Sequence, residues 1–96
     1  MNKSLQIKQA TTKIDIDKLS DYLKEHPQSK TLKKIIRNRK VILDSNNEEE
    51  IFNLGTNLAY YLDTFVNKTG YVKEETEKKH WLETSRKLFE NTIGVK

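Results

Sequence analysis

Ser4-Leu5-Gln6-Ile7-Lys8-Gln9-Ala10 opens on polar/apolar alternation. With a side-chain period of two, Leu5 and Ile7 fall on one side and Ser4, Gln6 and Lys8 on the other, which predicts a short β-strand. The rest of the chain reads as helix. Thr12 followed by Asp15 has the spacing of a capping-box start, and Ile16, Leu19, Tyr22 and Leu23 share one helical face. Pro27 ends that helix, because its ring disfavours α geometry at His26. Ser29 or Thr31 caps a second helix to about Leu43, with Leu32, Ile35, Ile36, Ile42 and Leu43 on one side. Arg39 falls inside that apolar stripe and Val41 outside it.

Asp44-Ser45-Asn46-Asn47 is a linker, and Asn47 with Glu50 pairs an N-cap with a carboxylate at N3. Ile51, Leu54, Leu58, Tyr61 and Phe65 follow 3-4-3-4 spacing, with Leu62 beside them, and Gly70 closes this third helix. A fourth spans about 72–91, with Glu74–Lys78 and Glu75–Lys79 as i,i+4 pairs. Trp81, Leu82, Leu88 and Phe89 mark its apolar side, Ile93 continues that side and Gly94 ends it. The predicted fold is mostly α: a strand followed by four helices, with an antiparallel four-helix bundle as the alternative. Residues 1–44 and 45–96 divide as a strand-helix-helix region and a helical hairpin.

The 96 residues are one domain's worth, 34% hydrophobic and 33% charged. A chain so lean in apolar residues can supplement its core by dimerising. There is no cysteine, hence no disulfide and no thiolate chemistry. No apolar run reaches the ~18 residues of a membrane span, and the N-terminal residues lack a signal-peptide stretch, so the cytoplasm is the expected compartment and a membrane is not an expected partner. The net charge of +4 is uneven. Residues 1–43 hold eleven Lys/Arg against Asp15, Asp17, Asp21 and Glu25, a charge of +7, whereas residues 44–96 hold seven against ten, a charge of −3. A basic front half suits a polyanion.

Enzymatic chemistry finds little support. Glu77-x-x-His80 has the spacing of a carboxylate-bridged metal set, but that chemistry needs two such motifs and inward carboxylates. The glycines form no phosphate loop, and no nucleophile–base pair can be assembled from neighbouring residues. No enzyme activity, cofactor or metal is expected.

Lys30, Lys33, Lys34, Arg37 and Lys40 place cations along one side of the second helix over about 15 Å, and no acid occurs from Pro27 to Leu43. DNA phosphates would match that charge. Strand, helix, three-residue break and helix, in that order over residues 3–43, resemble the ribbon-helix-helix family of DNA-binding domains. Many members carry a glycine at the break where this chain has Pro27-Gln28-Ser29. The resemblance implies a homodimer whose paired strands enter the major groove of double-stranded DNA. Gln6 and Lys8, with Ser4 beside them, would face the bases, and Ser29-Lys30-Thr31 would anchor a phosphate. Asn53-Leu54-Gly55-Thr56-Asn57-Leu58 is similar to a Gly-x-Asn-Leu stretch in plasmid mobilisation accessory proteins, which help a relaxase at the transfer origin. The implied function is that of a plasmid or phage DNA-binding protein, a repressor of transcription or a relaxosome-type factor, with residues 51–93 supporting the dimer or recruiting a protein. The alternative is a monomeric helical bundle that binds a protein, as an inhibitor or immunity-type factor. A monomer without a strand at residues 4–10 would favour it.

Overall fold

The computed structural model describes residues 2–92, and among these there is no strand. Five helices follow one another: α1 (Lys3–Thr12), α2 (Ile16–Glu25), α3 (Lys30–Asp44), α4 (Glu48–Asn67) and α5 (Glu75–Thr92). The strand expected at residues 4–10 is therefore a helix, and the ribbon-helix-helix fold is overturned with it. The four-helix alternative is one helix short for the same reason.

Two local features explain α1. The Asn2 side chain accepts hydrogen bonds from the Ser4 and Leu5 N–H groups at 2.9 and 3.3 Å, satisfying donors that a helix start leaves unpaired. Beyond Leu5, the apolar pattern follows helical spacing: Ile7, Ala10 and Ile14 are buried at i, i+3 and i+7. Leu5, which alternation placed beside Ile7, is 54% exposed while Ile7 is fully buried. Thr12 does not start a helix. It ends α1, its hydroxyl donating back to the Lys8 carbonyl at 2.8 Å, and Asp15 caps α2 by accepting from the Asp17 and Lys18 N–H groups.

The later boundaries follow the expected chemistry more closely. Ser29 caps α3 through the Leu32 N–H, and Asn47 caps α4 through the Glu50 N–H. Glu50 turns aside to accept the Ser45 hydroxyl at 2.6 Å, tying the α3–α4 linker to the first turn of α4. Lys68 is the C-cap of α4, and Gly70 lies two residues further at φ +72°, a left-handed conformation suited to glycine. Helix α5 starts at Glu75, later than expected. Glu74 thus precedes it, and the ion pair formed is Lys78–Glu75 at 3.4 Å. Ile93 and Gly94, expected to extend and end this helix, lie outside the described residues.

Buried side chains from all five helices and the α4–α5 connection form one core. Helix α4 sits at its centre, packed against α5, α3 and α1. Its buried face is Ile51, Gly55, Leu58, Ala59, Leu62, Phe65 and Val66, so the expected heptad is rotated and Leu54 and Tyr61 move to its half-buried edge. Gly55 permits a close approach of α1 and α5 to α4: a Cβ there would lie 3.1 Å from Thr92 Cγ2 and 3.2 Å from Ile7 Cγ2. Helix α2 is the outlier, for among the helices its backbone approaches only that of α3.

One polar group joins α2 to α5. The Tyr22 hydroxyl and the Trp81 indole N–H both donate to Glu77 Oε2, at 2.7 and 3.1 Å, and Lys18 Nζ stands 3.9 Å from Oε1. Burial pushes the Tyr22 hydroxyl above its ordinary pKa, reinforced by its bond to Glu77. Burial also works to raise Glu77, but the Tyr22 and Trp81 hydrogen bonds and the Lys18 and His80 charges outweigh it and hold that carboxyl below its ordinary range. His26 stacks flat on Tyr71 at 3.7 Å, a second contact from the end of α2.

Candidate nucleic-acid interface

At about 100° per residue, Leu32, Ile35 and Ile42 direct α3 into the core, and the opposite side carries Lys30, Lys33, Lys34, Arg37 and Lys40. All five are exposed. None stands within 4 Å of a carboxylate among the described residues, although Lys18, Lys78, Arg86 and Lys87 all do. The acidic second half thus leaves this face uncompensated. Asp44, one turn past Lys40 and also exposed, bounds it. Lys34 Nζ lies 5.3 Å from the centroid of the Tyr61 ring, a cation–π contact that places its ammonium against the edge of α4.

Arg39, the cation in the apolar stripe, has a structural task. It is half-buried, and its Nε–H donates to the Ile14 carbonyl at 3.1 Å, fastening the α1–α2 turn to α3. Such a role is not visible in periodicity, because it depends on where a distant turn lands.

The residues predicted from the strand are dispersed. Positions i and i+2 stand about 200° apart on a helix, so Gln6 and Lys8 occupy opposite flanks of α1. Gln6 lies in a shallow depression beside Lys13, Lys87 and Asn91. Lys8 reaches the other way, its Nζ 3.5 Å from the Leu43 carbonyl at the end of α3, where a cation suits the helix dipole. Ser4 is buried. Ser29 remains at the first turn of α3 beside Lys30, its hydroxyl oxygen committed to the cap.

The same holds for the metal-like spacing. Glu77 is engaged by Tyr22 and Trp81, His80 is exposed, and among the described residues no group of three or more His, Asp or Glu is arranged to hold a metal ion. Sequence reasoning missed the Tyr22–Glu77–Trp81 group; the i,i+4 spacing of Glu77 and Trp81 was its only local trace. Among the described residues no helix is long and apolar enough to cross a membrane. Comparison with protein-family models, with curated proteins and with solved structures gives no match to this chain.

Proposed function

We propose that this protein binds duplex DNA through the cationic face of α3, as an accessory or regulatory factor. The observation that carries this reading is five exposed cations on one helix face, none with a carboxylate within 4 Å among the described residues. Such a face gains free energy by displacing the counterions condensed on a polyphosphate. All five come from a single chain, so a second copy is not needed to build the surface, and the strand-paired dimer has no strand to form it. Ser29 and Lys30 lie at the start of α3, where peptide N–H groups favour an anion.

The test is a titration of a labelled random duplex at two salt concentrations. If all five cations meet phosphates, the slope of log K against log salt is about −4.5, and affinity falls about 500-fold between roughly 50 and 200 mM salt. The triple variant K33A/R37A/K40A leaves two cations, and its affinity should fall only about twelvefold over that range. Equal, weak and salt-independent binding by both proteins would remove the proposal.

A second reading has an observation behind it. Residues 3–12 are helical and one chain closes its own core, as in a small helical inhibitor or immunity-type protein. The α3 face would then meet an acidic protein surface, and failure to bind duplex DNA at low salt is the outcome that favours it.

A further inference from the structure

The Lys34–Tyr61 contact fixes which edge of α4 borders the cationic face. Tyr61 is late in α4 and Lys34 early in α3, while Ser45 meets Glu50 at the other end, so the two helices run antiparallel. Counting back from Tyr61 at about 100° per residue, Asn57 and Asn53 follow on its solvent side. Both are exposed, and neither side chain has a hydrogen bond within the described residues. No acid occurs from Ile51 to Leu62; Glu49 and Glu50 stand one turn before Asn53 on the same side of the helix, Glu50 turned to the Ser45 hydroxyl, and Asp63, the first acid beyond Leu62, lies about 160° round the helix from Tyr61. Beside the five cations, none of them ion-paired among the described residues, there is thus a rank of neutral hydrogen-bonding side chains that runs from Tyr61 back to Asn53, where the acidic first turn of α4 begins.

We propose that the interface is two helices wide: α3 holds phosphates by charge, and the Asn53–Asn57 edge of α4 adds neutral hydrogen bonds to the same duplex. The proposal rests on the DNA-binding reading above. Amides are apt for this position because each both donates and accepts, matching phosphate oxygens or the edge of adenine. Tyr61 holds the Lys34 ammonium at the seam between the two ranks.

The two kinds of contact differ in salt response, and that difference tests the proposal. Charge contacts set the slope of log K against log salt, at about 0.9 per phosphate met; neutral hydrogen bonds raise affinity without changing that slope. The wild type, N53A/N57A and K33A/R37A are titrated with one labelled duplex at several salt concentrations, with thermal melts to confirm folding. N53A/N57A is expected to bind about tenfold more weakly at every salt concentration with the wild-type slope. K33A/R37A should flatten the slope by about 1.8. N57K supplies a gain of function: tighter binding and a slope steeper by about 0.9. If N53A/N57A binds as the wild type does, or N57K leaves the slope unchanged, while K33A/R37A flattens it, the α4 rank is overturned and the α3 face stands. If the wild type shows no salt-dependent binding to duplex, both fall together.

Discussion

Replacing Glu77 by alanine should cost this protein a large share of its stability. Its carboxylate accepts from the Tyr22 hydroxyl and from the indole of Trp81, a residue only 1% exposed. Removing it leaves the buried indole N–H without a partner, at about 1–3 kcal/mol, and returns the half-buried phenol to water at about 1 kcal/mol. The combined loss is about 2–4 kcal/mol, against roughly 5–14 kcal/mol expected for a domain of this size. For a chain near this length, each kcal/mol moves Tm by about 4–8 °C, so E77A should melt roughly 10–30 °C lower. Circular dichroism melts across pH add a sign. The Glu77 carboxyl is held below its ordinary 4.5 in the fold. Its charge therefore contributes fully above that value, and the contribution is lost as pH falls through the folded value. Glu77→Gln keeps an acceptor oxygen and loses the charge, so the gap between wild type and E77Q should narrow below pH 4.5. An E77A protein melting within a degree or two of wild type, or a gap that widens in acid, would mean that the Glu77 carboxylate does not hold α2 to α5.

Three further outcomes follow from particular contacts. Tyr22 is shifted upward in the fold from its ordinary 10.0, so its stabilisation is complete below that value and is lost as pH rises above it; melts of Y22F should show a shallower alkaline limb. Gly55→Leu forces a side chain against Ile7 and Thr92, and chemical denaturation should show a loss of about 1–3 kcal/mol or more. Asn2→Ala removes the cap of α1, and should lower stability by about 1 kcal/mol in the same assay; no change would mean that α1 does not depend on its cap.

Helix ends proved legible where a single side chain makes the boundary. Ser29 and Asn47 announce their caps because the residues that satisfy the first N–H groups sit within three positions of them. The N-terminal segment misleads because Leu5 and Ile7 alone cannot separate a period of two from one of 3.6. The wider series Ile7, Ala10, Ile14 carries the helical spacing, but its middle member is a small residue that weighs little in an apolar pattern. The same blindness to small residues rotated α4, where Gly55 and Ala59 are buried and the larger Leu54 and Tyr61 lie at the rim. The cationic face was legible in full, since Lys and Arg at helical spacing opposite an apolar stripe leave no other direction to point. What the sequence hid was long-range: Arg39 against Ile14 and Tyr22 against Glu77 are separated by 25 and 55 positions.

Because α3 is the one helix whose backbone α2 approaches, α2 is the helix whose detachment disturbs the fewest of the others. It is otherwise tied by side chains: Leu19 buried in the core, the phenol and ammonium on Glu77, the edge of Tyr22 on Phe65 and the His26 stack on Tyr71. Native-state hydrogen exchange should therefore find the amides of residues 16–25 opening as a cooperative unit well below the energy of global unfolding, while α4 exchanges last. A protease with a site in that segment would nick the folded protein there first, and the surviving fragment would still contain α3 and α4 intact.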